Sequence, residues 1–377
     1  MEREPEVVIA ALLGPLRPGA RLGDGSRVVA IGGDMGLAIE LEVDGVPLDV
    51  ELVPRAAARH ERVLTDAFAI GYRTDERGPL PARALAACRA VAEAIAPHEA
   101  QVLQELATPT TSPRIREIAG GRLLAPARAG PRSFYRISPY RGCAIGCRFC
   151  YAQSRLQPLR ALLGLPAAPW GSWIDARVDA AAVLARELVD ATPRPIKFCP
   201  IVSDPYQAIE AKLRLTRACL EALRDWPAPV LVLTRAAAIL DDVDRIAALR
   251  EPWAGVSLPT IDDAVRSHFE PRAASVDDRI HVLRSLRAAG VRTFAVVQPL
   301  LPGNIDGLAD ALAATVDGVA IGVLHGEESA TALFDDPRFA PARTDAWQRE
   351  RALALRDALC ERGIAVWEDE LPPEVAR

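Results

Sequence analysis

Between residues 132 and 330, short apolar runs alternate with stretches of helical period. The runs at 134–138, 196–201, 230–234, 254–258, 291–297 and 318–324 are mostly apolar and rich in branched and aromatic side chains. That is the pattern of strands buried on both faces. Helical segments are expected soon after Cys150 and at 213–224, 236–249, 276–289 and 305–314. Six β/α units in succession predict a parallel sheet, and right-handed crossovers curl such a sheet into an open barrel. The expected fold class is α/β, a partial (β/α)6 barrel. A further helix at 344–362 is expected to cover an edge of the sheet.

The first hundred residues carry a different pattern. Leu37, Ile39, Leu41 and Val43 alternate with polar partners, Asp44-Gly45 supplies a tight turn, and Val46, Leu48, Val50 and Leu52 alternate again. A hairpin follows from this, with a third strand at 27–31. Its outward face carries Glu40, Glu42, Asp49 and Glu51, a solvated face or a docking surface for a basic partner. Residues 81–106 read as an Ala- and Leu-rich helix, and Thr108-Pro109-Thr110-Thr111-Ser112-Pro113 as a linker. The expected organisation is an α+β accessory domain at 1–106, a linker at 107–131, the barrel at 132–330 and a helical extension at 331–377.

No run of eighteen apolar residues occurs, so no membrane span is expected. The acidic start Met1-Glu2-Arg3-Glu4 lacks the order of a signal peptide, and a cytoplasmic location is expected. Charge is unevenly spread. Residues 1–113 hold 11 Arg against 17 acids, whereas residues 114–160 hold ten Arg and one acid, Glu117. The basic stretch reads either as an anion-friendly mouth or as arginines balancing thiolates and acids elsewhere. Only two lysines occur, Lys197 and Lys212; the chain prefers Arg throughout.

Three of the seven cysteines crowd into eight residues, in Arg141-Gly142-Cys143-Ala144-Ile145-Gly146-Cys147-Arg148-Phe149-Cys150-Tyr151. Thiolates are soft ligands that suit iron–sulfur clusters or zinc. Structural zinc closes with four ligands, commonly as two pairs. Here three stand together with no His or Cys nearby to complete the set. Three thiolates on a [4Fe–4S] cluster leave one iron open for a small molecule. The loop follows the first barrel strand, at the end where β/α loops build active sites. Gly142 and Gly146 let the backbone wrap closely.

The triplet Cys143-x3-Cys147-x2-Cys150 resembles the signature of the radical S-adenosylmethionine (SAM) superfamily. Residues from about 134 to 325 resemble its spore photoproduct lyase-like branch, through Ser203-Asp204-Pro205-Tyr206-Gln207 with Glu210, Leu231-Val232-Leu233-Thr234-Arg235, Glu270-Pro271 with Arg279, and Pro302-Gly303-Asn304 with Asp306. The resemblance implies a [4Fe–4S] cluster on Cys143, Cys147 and Cys150. SAM would chelate the open iron and be cleaved reductively to a 5′-deoxyadenosyl radical, which abstracts hydrogen from a substrate. It implies Ser203 and Asp204 near the SAM ammonium, Thr234 and Arg235 near its carboxylate, and Phe149 and Tyr151 packed on cluster and adenine. Ser257 is a candidate for the ribose and Gln298 for the pocket wall. Where the branch often has Lys-Ser after the Thr, this chain has Arg235-Ala236. Ile201 stands where the lyase carries its hydrogen-donor cysteine, and Cys199, two residues earlier, is the candidate donor. His325 lies at the rim, and Glu270 with Arg279 is expected as a structural ion pair. A reductant such as flavodoxin or ferredoxin is an implied partner, drawn by the basic stretch. The substrate is open between a small molecule, a peptide and a nucleic-acid base. The alternatives are a DNA photoproduct repair lyase and a non-catalytic iron–sulfur protein that binds nucleic acid or a partner.

Overall fold

The computed structural model describes residues 2–3, 14, 16–32, 37–55, 63–72, 82–100, 115–129, 132–153, 156, 160, 165, 168–198, 202–324 and 334–376. Glu2–Arg3 forms β1, and β2 (Arg27–Gly32), β3 (Leu37–Val43), β4 (Val46–Pro54), β5 (Val63–Leu64) and β6 (Phe68–Tyr72) follow. The last five build an antiparallel sheet in the order β2-β3-β4-β6-β5. Strands β3 and β4 meet at Asp44 and Gly45, both with positive φ (51° and 76°), the conformation a two-residue hairpin turn requires. Ile39, Leu41, Val50 and Leu52 pack with Ala87, Cys88, Val91 and Ile95 of the helix Ala82–Ile95. The hairpin's outward face departs from a solvated one. Glu51 is buried, and Glu40 pairs with Arg122 at 3.4 Å, because the chain beyond residue 115 returns against this face.

Residues 115–129, expected within a linker, instead hold β7 (Ile115–Ala119) and β8 (Ala125–Ala129). The Gly120-Gly121 pair, with φ of 88° and 83°, turns the chain between them. Then come β9 (Arg132–Ile137), β10 (Tyr140–Arg141) and β11 (Ile174–Arg177); β1, β7, β11 and β10 form a second small sheet.

The remaining strands are β12 (Ile196–Phe198), β13 (Val230–Thr234), β14 (Pro252–Ser257), β15 (Arg292–Val297), β16 (Gly318–Ile321) and β17 (Ala365–Trp367). They join β9 and β8 in one sheet, ordered β17-β16-β15-β14-β13-β12-β9-β8, parallel except for β8. The six expected strands are thus consecutive neighbours. The run of strands in sequence order, with helices in the connections, is the singly wound arrangement of a partial barrel. Two strands were missed, one at each edge. The C-terminal extension is not purely helical: Asp345–Glu361 is a helix, but β17 follows and pairs with β16.

Alternate strand residues face two cores. Val230, Val232, Ala254 and Val256 pack outward among helices such as Val276–Ala288 and Ile305–Ala313. Phe134, Leu231, Leu233, Trp253, Phe294 and Trp367 face inward and are joined there by Leu371 and Val375. The N-terminal module is not separate from this body, since its core runs on to Trp173, Val202 and Ala152 beside the cysteine loop. No helix among the described residues is long and apolar enough to cross a membrane.

Candidate active site

The cysteine loop leaves β10 through Gly142, whose amide donates to the Val202 carbonyl at 3.0 Å. Its φ is 76°, and a side chain there would meet Trp173 at 2.5 Å. Gly146 (φ 61°) is tighter still: an added Cβ would lie 2.3 Å from the Arg272 guanidinium and 2.9 Å from Gly171 Cα. Arg272 donates from Nε to the Ile145 carbonyl at 3.3 Å and from Nη1 to that of Gly171 at 3.0 Å. The loop is folded around that guanidinium. Cys143 and Cys147 are buried and Cys150 is partly exposed. Their side chains, with Trp170, Ser203, Asp204 and Arg235, line one small cleft. Burial pushes the Cys143 thiol up to about 12, with the Asp204 charge adding to it. Burial likewise lifts the Cys147 thiol well above its ordinary value, against the opposing pull of Arg235.

The segment after β12 works as a bracket. Asp204 accepts from Thr234 Oγ1 at 2.6 Å, Tyr206 N at 2.9 Å and Arg235 N at 2.7 Å. Burial raises its carboxyl above the ordinary carboxylate value despite these donors. Gln207 Oε1 accepts from Ala144 N at 2.7 Å, and its Nε2 donates to the Gly142 carbonyl at 3.3 Å. Glu210 accepts from the Tyr140 hydroxyl and from the amides of Thr216 and Arg217. The polar residues of this motif therefore hold strand ends and the cysteine loop in register. Ser203 faces the cleft, whereas Thr234 is fully buried and spends its hydroxyl on Asp204.

Arg235 lines both the cleft and the cavity inside the barrel. Its Nε donates to Glu270 Oε1 at 2.7 Å, and Arg279 Nη2 donates to the other oxygen at 2.7 Å. Glu270 and Arg279 are completely buried, as a structural pair requires. Burial alone would lower the Arg235 pKa, but the facing Cys147 and Glu270 charges hold it above its ordinary value. Glu270 Oε1 also lies 3.9 Å from Cys147 Sγ.

Inside the barrel, a cavity of about 300 Å³ is lined by Phe149, Tyr151, Arg235, Ser257 and Gln298, together with Cys147 and Cys150. Five candidates scattered over the sequence thus share one chamber. Ser257 Oγ is buried there with no hydrogen-bond partner among the described residues. Gln298 Nε2 donates to the Val323 carbonyl at 3.3 Å. Cys199, Ile201 and His325 lie outside the described residues. Two lining features escaped the sequence reading: Lys197 on β12, and the acidic Glu368-Asp369-Glu370 after β17.

Among the described arginines of the basic stretch, Arg148 alone is exposed. Arg116, Arg136, Arg141 and Arg160 are buried. Arg116 pairs with Asp175 at 3.2 Å, Arg160 stacks on Trp173 at 4.2 Å, and Arg132 pairs with Asp369 at 2.8 Å.

Residues 137–328, which contain the cysteine loop and all the barrel strands between β12 and β16, match the model of the Radical SAM superfamily. The chain belongs to the radical SAM superfamily. Such membership implies SAM and an iron–sulfur cluster and places the chain among enzymes that, as a class, need a reductant and a substrate. Among curated relatives, the uncharacterized protein MJ0683 of Methanocaldococcus jannaschii is 26% identical over 176 residues, 47% of this chain and 64% of that protein. The Radical SAM Nalpha-GlyT isomerase of Pseudomonas phage M6 is 28% identical over 219 residues, 55% of this chain and 44% of the phage protein. The match thus spans less than two thirds of either relative. Among solved structures, a spore photoproduct lyase variant gives a TM-score of 0.47 at 17% identity, over 66% of this chain and 81% of that one. Streptococcus suis SuiB bound to S-adenosylmethionine gives 0.42 at 12%, over 75% and 56%.

Proposed function

We propose that Cys143, Cys147 and Cys150 hold a [4Fe–4S] cluster and that the adjoining chamber takes SAM and a substrate. The observation that carries this reading is the wall the two spaces share: Cys147, Cys150 and Arg235 line both the cleft and the barrel cavity. The donor set fits a cluster. Three soft thiolates line one cleft, as the separate corners of an iron–sulfur cluster require. Held by these three cysteines, a reduced cluster with SAM bound would supply radical chemistry, the abstraction of hydrogen from a substrate.

The chain's own residues do the rest. Arg235 places a fixed positive charge beside Cys147, which offsets thiolate charge in a dry site. Phe149 and Tyr151 give the chamber an aromatic wall that suits a planar base, and Phe149 with Phe269 keeps water from the sulfurs. Ser257 offers an unspent hydroxyl of the kind a sugar hydroxyl would satisfy. Ser203 faces the cleft where an ammonium would sit. With Asp204 engaged by three donors, it is assigned here to positioning.

Anaerobic reconstitution tests the reading. The wild type should bind four irons per chain and, with SAM and dithionite, release 5′-deoxyadenosine. Cys143→Ser, Cys147→Ser and Cys150→Ser should each abolish that release. Zinc in place of iron, or release that survives all three substitutions, would refute the assignment. Among the described arginines of the basic stretch, Arg116, Arg136, Arg141 and Arg160 are buried, which gives the repair-lyase alternative no support.

A further inference from the structure

Lys197 lies in the middle of β12, between Ile196 and Phe198, which point into the outer core. It points the other way, into the chamber. The residues beside it in register are Leu231 on β13, which is apolar, and Arg136 on β9, a second buried cation; Leu233, Trp253 and Phe294 lie further along the same inner wall. An ammonium among such side chains is unfavourable unless an anion stays beside it. The composition sharpens the point. Of 45 basic residues only two are lysines, so this chain places an arginine nearly everywhere a cation serves. A compact ammonium on a flexible stem is retained at this one inner position, where a planar guanidinium would differ in size and donor geometry.

Its partner comes from the far edge of the sheet. Lys197 Nζ donates to Glu370 Oε2 and to the Glu370 carbonyl, both at 2.6 Å. The segment that carries Glu370 crosses the open side of the barrel, from β17 to β9. Arg132 holds it there through Asp369 Oδ2 at 2.8 Å and the carbonyls of Pro372 and Leu371 at 3.1 and 3.2 Å. The two partners differ sharply in burial. The Lys197 side chain is 5% exposed, whereas that of Glu370 is 47% exposed. If the pair is exchanged, Glu370 returns to water at little cost, but Lys197 must keep an anion.

We propose that Lys197 anchors an acidic group, a carboxylate or phosphate, on the molecule that enters the chamber, and that Glu370 holds the place until that group arrives. The backbone of residues 368–372 stays latched by Arg132, so only the Glu370 side chain has to turn. The inference rests on the reading of this cavity as the substrate chamber. It narrows the substrate class to molecules with an acid group within reach of Lys197.

The test exploits the sign of a competition. Inorganic phosphate serves as the probe on the full chain, against chloride at matched ionic strength. Binding is followed by isothermal titration calorimetry. Phosphate should bind the wild type measurably, and chloride should not. E370Q removes the competitor and should bind phosphate about tenfold more tightly, the effect of one charged hydrogen bond. A merely structural Glu370 predicts weaker or unchanged binding, and that result would overturn the proposal. K197M should lose the response. Because K197M leaves Glu370 without its cation, the double variant K197M/E370Q serves as the folded, charge-neutral control, and phosphate binding by it would also overturn the proposal. A preference for a cationic probe such as ethylammonium in the wild type would assign the acidic wall to amine recognition instead, and sink the idea. Release of 5′-deoxyadenosine by the same preparations reports separately on the cluster reading.

Discussion

Arg235 and Arg279 share one carboxylate: Glu270 receives the first on Oε1 and the second on Oε2, each at 2.7 Å. Two guanidiniums, one of them fully buried, thus depend on a single acid between the cysteine loop and the outer core. Removing one partner of a buried pair leaves an uncompensated charge, which costs far more than the pair itself contributes. Glu270→Gln should therefore lower the unfolding free energy by about 3 kcal/mol. Urea denaturation of the full chain measures it, and a loss below about 1 kcal/mol, the scale of an exposed pair, would show that the arginines find other partners.

The contact between Gly146 and the Arg272 guanidinium makes a second prediction. Gly146→Ala introduces both a positive-φ alanine and an atom 2.3 Å from Arg272, whereas Gly290→Ala has the same strain (φ 79°) with nothing within 4 Å. Overpacking costs about 1–3 kcal/mol beyond the backbone strain. Gly146→Ala should be the more destabilised by that amount and should retain less iron after reconstitution. Equal stability of the two variants would mean that Arg272 moves away freely.

Cys219 gives a pH-dependent signature away from the site. Burial pushes its thiol up to about 12 from an ordinary 9.0, partly offset by Arg177 and reinforced by Glu210. The folded state holds the neutral thiol, while the unfolded chain ionises it first. Its contribution to stability is complete below pH 9 and is lost as pH rises from there toward 12. Cys219→Ala should accordingly lose less stability over that interval than the wild type does. In native protein at pH 8, a thiol reagent should label the exposed Cys360 and leave Cys219 untouched; prompt labelling of Cys219 would contradict its burial.

Among the described arginines of the basic stretch, Arg148, inside the cysteine loop, is the exposed one. It is the residue that the proposed docking of an acidic reductant would use, since Arg132 is engaged by the C-terminal segment and Arg136 is buried. Arg148→Glu should slow reduction by flavodoxin, with the deficit shrinking as salt is raised. A deficit independent of salt would assign Arg148 to the loop's own structure.

The barrel strands were legible because burial on both faces leaves a continuous apolar run, and the cysteine triplet because its spacing is short and its chemistry narrow. What escaped depends on contacts distant in sequence. Strand β17 is only three residues long and owes its place to pairing with β16. Strands β7 and β8 lie in a Gly- and Pro-punctuated stretch that reads as linker until a partner strand is present. Asp204 and Thr234 stand at the strand ends that motif position suggests, yet no spacing rule reveals that each spends itself on the other. Lys197 was visible as a rare lysine, but only the sheet discloses that its side chain turns inward. The outward acids of β3 and β4 look solvated until Arg122 is brought beside Glu40.

The seven residues from Asp204 to Glu210 accept amide hydrogens from three other stretches of chain, at Ala144, at Thr216 with Arg217, and at Arg235. None of those protons becomes available to solvent unless this short clasp lets go. The cysteine loop, the start of the helix Leu215–Ala222 and the end of β13 are thereby joined into one kinetic unit. Occupancy of the chamber would then be felt as slower proton loss at all four amides together.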